Sequence, residues 1–297
     1  MSETVGFIGL GVMGAPMTLN LLKGGLDVVV TTSSSEKAET FRAAGARVVS
    51  SAAEVAQAAK LIFTCVPDFA ALRTAVSAEN GIASADWSGG LLVDCSTIAP
   101  FEARAIAELV AASGASFVDA PISGGKRGAE DGTLTIMCGG AEEDIARATF
   151  AMQAMGKTIR HVGPLGAGQT VKACNQLMVA INLMGACEAI GIARANGVDP
   201  RVMREVVLTG TGRSGVLETN ALRYLDGQTA PGFRIDLMKK DIGIANAVGT
   251  QSNIVQPATS LALQLLQAAS NSGLGGLDTA ALGLLYERLN GGGTSEP

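Results

Sequence analysis

Val5-Gly6-Phe7-Ile8-Gly9-Leu10-Gly11-Val12-Met13-Gly14 carries a G-x-G-x-x-G pattern directly after a short apolar run and directly before an amphipathic one. The run 4–8 reads as a strand and 13–23 as a helix, so the glycines fall at a strand-to-helix turn. Gly9 permits the tight turn, Gly11 lets the backbone approach a pyrophosphate, and Gly14 allows helix and strand to pack closely. An anion at this turn sits on free N–H groups at the helix N-terminus. Leu10, Val12 and Met13 supply the rest of the cradle, and the stretch predicts dinucleotide binding.

Outward from this loop, the first half of the chain alternates strands with helices. Runs 27–30, 61–65, 91–95, 116–120 and 134–138 are rich in Val, Ile, Leu and Phe, and helical patterns occupy 35–44, 52–59, 70–77, 100–113 and 141–155. A short strand near 158–162 closes the series. Such alternation predicts a doubly wound, parallel α/β sheet of the Rossmann type. After Gly163 the strand pattern stops, and 166–195, 199–208, 216–225, 235–248, 256–272 and 278–290 all carry helical patterns. Asp199 is placed as an N-cap there, with Pro200 at the first helical position. The expected organisation is a dinucleotide-binding domain over 1–163 and an all-α substrate and dimerisation domain over 164–297. The glycine-rich end from Gly291 is expected to fray.

Of the 297 residues, 47% are hydrophobic and 16% charged, which provides a sizeable core and excludes wholesale disorder. A net charge of −5 with no basic run argues against nucleic acid or an anionic membrane as partner. Met1-Ser2-Glu3 lacks a basic n-region, so no signal peptide is expected. The longest apolar run, 177–193, contains Asn182 and Glu188 and falls short of the roughly 20 residues a membrane span needs. It reads as a helix buried on all sides. Five cysteines without a CxxC pair fit reduced thiols in the cytoplasm better than disulfides or zinc. The one histidine, His161, excludes a three-histidine metal site and reads as a cap on the last strand.

The end of the second strand bears on the cofactor, because an NAD site usually places Asp or Glu there. This chain has Val30-Thr31-Thr32-Ser33-Ser34-Ser35, with no acid until Glu36 and no arginine. Thr32, Ser33 and nearby N–H groups can hold a 2′-phosphate with Lys37 close behind, so the reading is NADP, with NAD the alternative. Two more segments end strands, where ligands bind in open α/β sheets. In Cys65-Val66-Pro67-Asp68, Pro67 stiffens the turn beside the cofactor; Cys95-Ser96-Thr97 offers hydroxyls near the nicotinamide ribose.

Asp119-Ala120-Pro121-Ile122-Ser123-Gly124-Gly125 ends a further strand with a hydroxyl and two glycines whose N–H groups are open to a carboxylate. Gly163-Pro164-Leu165-Gly166-Ala167-Gly168-Gln169-Thr170-Val171-Lys172-Ala173-Cys174-Asn175 then enters the long apolar helix. Lys172 and Asn175, three apart, share one helical face. With the glycine loop, they suggest a redox enzyme whose proton donor is a lysine. In Phe233-Arg234-Ile235-Asp236-Leu237-Met238-Lys239-Lys240-Asp241, Lys240 and Asp241 read as inner residues because Ile242, Ile244 and Ala245 continue an apolar helix; a solvated charged face is the alternative.

The N-terminal glycine loop, the stretches 119–125 and 163–175, and Lys240-Asp241, in this order, resemble the β-hydroxyacid dehydrogenase family, which includes 3-hydroxyisobutyrate dehydrogenase, tartronate semialdehyde reductase and the glyoxylate/succinic semialdehyde reductases. The resemblance covers nearly the whole chain. It implies Lys172 as general acid/base, Asn175 as an orienting group, and Ser123, Gly124 and Gly125 as holders of the substrate carboxylate. Thr97 would sit between cofactor and substrate, Lys240 would contact the cofactor, Asp241 would pair within the site, and Phe233 would form an apolar wall. The implied reaction interconverts a short 3-hydroxy acid and its semialdehyde, in a homodimer or homotetramer.

Stretches 231–237 and 285–289 are similar to tartronate semialdehyde reductases, whereas Gly212-Arg213-Ser214 is similar to hydroxymethylglutarate dehydrogenase. Thr32-Ser33 departs from the Asn-Arg common in NADP-using members. Lys126-Arg127 adds positive charge for a second anionic group or for solvent, and Arg213, Asn220, Arg234 and Lys126 are candidates for reading the substrate. Alternatives are an imine reductase-like enzyme or a non-catalytic dinucleotide-binding scaffold. The first generally replaces the lysine, and the second commonly loses it or adds basic segments; this chain does neither.

Overall fold

The computed structural model describes residues 3–291. The chain forms two compact units, Met1–Lys172 and Ala173–Pro297. The segment past Gly291 that was expected to fray lies outside the described residues.

The first unit runs β1 (Thr4–Ile8), α1 (Gly14–Lys23), β2 (Asp27–Thr31), α2 (Ser35–Ala43), β3 (Arg47–Val49), α3 (Ala52–Ala58), β4 (Leu61–Thr64), α4 (Phe69–Ser77), β5 (Leu91–Asp94), α5 (Pro100–Ala111) and β6 (Ser116–Asp119). It continues with β7 (Ile122–Ser123), α6 (Gly125–Glu130), β8 (Leu134–Gly139), α7 (Glu142–Met155) and β9 (Gly156–Gly163). Among the described residues these strands form one sheet in the order β3-β2-β1-β4-β5-β6-β8-β7, with β9 on β8. From β3 to β6 every pairing is parallel.

The sheet is buried on both faces, which is why its strands read as continuous apolar runs rather than alternating ones. Val5, Phe7, Val30, Phe63 and Val93 pack with Met17, Leu21 and Met152 on one face. Ile8, Val29, Ile62, Leu92 and Phe117 pack with Val55, Leu72 and Ile106 on the other. Trp87 is fully buried in this second layer and donates its Nε1–H to the Ala59 carbonyl, 2.8 Å away.

The structure departs from the sequence expectation at β3, β7 and β8. β3 has three residues and β7 two, too short to show a periodicity. β8 pairs antiparallel with both β6 and β7. Parallel neighbours need a crossover of a dozen or more residues, and the connection from Ser123 to Leu134, which holds only the short α6, falls short of that.

The second unit is helical: α8 (Ala167–Ala195, whose first residues belong to the first unit), α9 (Pro200–Leu208), α10 (Gly215–Leu225), α11 (Ile235–Gln251), α12 (Pro257–Ala269) and α13 (Leu282–Leu289). Its core gathers Ala180, Leu183, Met184 and Cys187 of α8 with Ile235, Met238 and Ile242 of α11 and Leu266 of α12. Asp199 caps α9 as its spacing predicts, accepting from the Arg201 N–H at 2.8 Å. α12 stops at Ala269 because Ser270–Leu274 widens into a π-type turn around Gly273, whose φ is 81°.

By length and composition α8 could cross a membrane, yet a stripe of it lies in the helical core. The expectation that it is buried on all sides is corrected. Met178 is 59% and Ile192 66% exposed, because one stripe of a helix faces a core while the residues between turn outward.

Candidate active site

The parallel strands all point their carboxyl ends to one edge of the sheet, and the predicted cofactor loops line up along it. β2 lies on one side of β1 and β4 on the other, so the strand order reverses at β1, the usual place for a ligand crevice. The loop 9–13 leaves β1 there, beside Thr32 and Ser33 after β2 and Cys65-Val66-Pro67 after β4. Thr97 follows β5, and Ser123 lies past the end of β6.

The glycines show which of these contacts are internal. A Cβ on Gly9, whose φ is 103°, would be driven into the Cys65 carbonyl, and one on Gly14 into the Gly9 carbonyl. Both glycines are thus explained by protein packing. A Cβ on Gly11 would meet no protein atom within 4 Å. The space above it is open, as a backbone approached by a phosphate group requires. α1 begins at Gly14 with no capping side chain and no acid in its first turn, so no carboxylate competes with an anion at the positive end of the helix dipole. These residues fit a dinucleotide. Lys37 Nζ donates to the Leu10 carbonyl at 2.8 Å, and the Ser34 N–H donates to Thr32 Oγ1 at 3.2 Å, so the lysine reaches back from α2 to the glycine loop.

The loops after β4 and β5 share one anchor that sequence reading missed. Ser96 Oγ accepts from the Val66 N–H at 2.9 Å and donates to Asp94 Oδ1 at 2.6 Å; Thr64 Oγ1 donates to the same oxygen at 2.7 Å. Thr97 follows this knot, half-buried. Past β6 the chain turns through Gly124 and Gly125, with φ of 134° and 61°, directly after Ser123. Lys126 and Arg127 form exposed ion pairs with Glu130 and Asp131 one turn along α6, which accounts for them as surface charges.

Asp119 joins this edge to α8. Fully buried, its Oδ1 accepts from the Gly166 N–H at 2.7 Å and its Oδ2 from the Gln169 N–H at 2.8 Å. Burial pushes its carboxyl up from 3.8 to about 7, against the pull of these two N–H bonds. The strands end at Gly163, where the boundary was read, but this tether carries the first unit on to Lys172. Lys172 is 7% exposed, three residues beyond Gln169 on α8. His161 contacts the Gly163 carbonyl at 2.9 Å, at the end of β9.

In the helical unit a polar chain runs through the apolar core. Asn175 Nδ2 donates to Gln176 Oε1 at 2.9 Å, Gln176 Nε2 donates to Asp241 Oδ2 at 2.7 Å, and Lys240 Nζ lies 3.3 Å from Asp241 Oδ1. Asp241 and Gln176 are buried and the Lys240 side chain is 30% exposed, so the inner reading of the pair holds. Gln176 was missed; its signal is an amide inside an apolar helical run. Phe233 belongs to a separate knot, where Asp278 Oδ2 accepts from the Gly232 and Phe233 N–H groups at 2.8 and 3.0 Å. Asn220 donates to Thr279 Oγ1 at 3.1 Å, Arg234 precedes α11, and Arg213 lines an open cleft of about 430 Å³ with Ser214 and Glu218.

Comparison with known proteins agrees with this geometry. Residues 4–163 match the NAD binding domain of 6-phosphogluconate dehydrogenase, and 166–286 the NAD-binding domain of NADP-dependent 3-hydroxyisobutyrate dehydrogenase. The chain is 36% identical to 2-(hydroxymethyl)glutarate dehydrogenase of Eubacterium barkeri, over 98% of this chain and 97% of that one. It is 37% identical to 2-hydroxy-3-oxopropionate reductase of Escherichia coli K12, over 94% and 95%. The solved structure of Mycobacterium tuberculosis 3-hydroxyisobutyrate dehydrogenase with L-serine superposes with a TM-score of 0.88 at 31% identity, covering 96% and 99%. With an open dinucleotide cradle and sequence likeness along nearly its full length, the chain belongs to the β-hydroxyacid dehydrogenase family of NAD(P)-dependent oxidoreductases.

Proposed function

We propose that the chain interconverts a short 3-hydroxy acid and its semialdehyde, with Lys172 as general acid/base. One observation carries the reading: the Asp119 tether brings a buried lysine to the same sheet edge as the dinucleotide loops. The bound nicotinamide supplies or accepts the hydride. The Lys172 ammonium donates a proton to the aldehyde oxygen as negative charge builds there, and stabilises that charge until the proton arrives. In the reverse direction the neutral amine takes the hydroxyl proton.

Ser123 and the N–H groups at Gly124 and Gly125 hold the substrate carboxylate, and Thr97 sits beside it. Asn175, Phe233, Lys240 and Asp241 are assigned to the same chemistry by family likeness. Gly9, Leu10, Gly11, Val12, Met13, Gly14, Thr32, Ser33, Val66 and Pro67 bind the cofactor. NADP is the preferred one on this reading, because Lys37 places an ammonium between the glycine loop and the turn after β2, and no carboxylate stands at that turn.

Substrate identity within the class is tested by absorbance decay of NADPH and NADH against tartronate, methylmalonate and succinic semialdehydes. Turnover of one or more supports the reading; tight cofactor binding with no turnover favours a scaffold. The reading includes a homodimer or homotetramer, for which the exposed Met178, Ile192, Val202 and Val206 provide apolar surface. A monodisperse 30.0 kDa species in light scattering contradicts that part.

A further inference from the structure

The first turn of α8 is held by more polar bonds than a helix start requires, and Gln169 makes three of them. Its N–H donates to Asp119 Oδ2 at 2.8 Å, its Nε2 donates to the Ser96 carbonyl at 2.8 Å, and its Oε1 accepts from the Ile98 N–H at 3.2 Å. The side chain is 1% exposed. The two side-chain bonds take the backbone groups immediately before and after Thr97, so one amide fixes that residue from both sides. Ser96 is also the anchor of the loop after β4, through the Val66 N–H. Through Asp119 the same turn is pinned to the end of β6, ahead of Ser123.

The turn also lies directly on the sheet edge. A Cβ on Gly168 would be driven into the Met137 carbonyl and would crowd the Asp119 carbonyl at 2.7 Å. Lys172 follows Gln169 by three residues, just under one helical turn, and so shares its face. Gln169 thus connects the loop that carries Thr97 to the turn that precedes the lysine, by bonds that are all buried.

We propose that Gln169 is a positioning residue for the reaction: its carboxamide sets Thr97 in register with Lys172. The chemistry favours an amide. An amide donates to the Ser96 carbonyl and accepts from the Ile98 N–H at once, whereas an apolar residue would leave both backbone groups without partners. The proposal rests on the reading of Lys172 as proton donor, and its test separates the two.

Gln169→Leu removes both side-chain bonds. Misplacement by about 1 Å costs on the order of 10²-fold in rate, so kcat should fall about 10- to 100-fold, while KM for the semialdehyde and Kd for NADPH each stay within about threefold. In the protein without ligand, amide exchange at Ile98 should quicken, because its N–H loses its acceptor. A kcat within about threefold of wild type, a loss confined to KM or cofactor affinity, or unchanged exchange at Ile98 overturns the proposal. If Gln169→Leu does not fold, Gln169→Met, an unbranched side chain of similar length without the amide, carries the same test with the same expected and refuting outcomes. Lys172→Ala is run alongside; an active Lys172→Ala removes the proton-donor reading and leaves the Ile98 result to judge the clamp.

Discussion

Asp119 is the residue through which pH reaches the first unit. Its carboxyl is pushed from 3.8 to about 7, chiefly by loss of hydration, with Asp94 adding repulsion and the N–H bonds from Gly166 and Gln169 opposing. In the unfolded chain it returns to the ordinary carboxylate range. Between about pH 4 and 7, therefore, the folded state keeps a proton that the unfolded state has released. The stabilisation is fully present below pH 3.8 and is lost as pH rises through about 7. Each pH unit well inside that window is worth about 1.4 kcal/mol and the slope halves as pH reaches the folded value, so raising the pH from about 5 to 7 removes about 2 kcal/mol.

Asp119→Asn cannot titrate. It keeps one carbonyl acceptor and forfeits the other, an offset on the order of 1–3 kcal/mol that does not depend on pH. Urea unfolding followed by the fluorescence of Trp87, the single tryptophan and fully buried in the first unit, reports the right transition. The unfolding free energy of the variant relative to wild type should shift by about 2 kcal/mol in the variant's favour between about pH 5 and 7. Other carboxylates, such as Glu54 and Asp236, whose hydrogen bonds hold them below their usual values, are common to both proteins and cancel. Parallel pH profiles for wild type and variant would refute the reasoning.

Three further outcomes are expected. Gly11→Ala should melt as wild type does, because its Cβ meets no protein atom, yet lose cofactor affinity in a fluorescence titration; Gly14→Ala should lose stability, because its Cβ strikes the Gly9 carbonyl. Lys37→Ala should weaken NADPH by about tenfold more than NADH, the worth of one charge-assisted contact of about 1.4 kcal/mol; equal losses for both cofactors would remove the lysine from the 2′-phosphate. Asp278→Ala frees the part-buried Gly232 and Phe233 N–H groups and should cost about 1–3 kcal/mol in chemical denaturation, with a raised KM. An unchanged midpoint would show that the Phe233 loop is held by other means.

Much of this molecule is legible in its sequence because its signals are local. The glycine loop sits between a strand and a helix as its pattern requires, and Asp199-Pro200 starts α9. Lys240 and Asp241 were legible as inner residues from the apolar helix around them. What was not legible depends on contacts distant in sequence. Asp119 and Gln169 are 50 residues apart and Gln169 and Ser96 are 73 apart, and no spacing rule links them. Gln176 likewise acquires its role only from Asp241, 65 residues on, which accepts its hydrogen bond. The sequence leaves the charge at Lys126-Arg127 open between a second anionic group and solvent; its i,i+4 partners pair it on the surface of α6. The outward face of α8 was missed because an apolar run shows hydrophobicity without showing which side is covered.

The most direct test of the account is steady-state turnover of Lys172→Ala on a semialdehyde substrate, with NADPH affinity measured in the same preparation. The proposed role predicts a fall in kcat of more than about 10²-fold with cofactor affinity nearly intact, and a similar fall for Lys172→Arg, whose guanidinium does not release its proton. Turnover like that of the wild type in Lys172→Ala would contradict it.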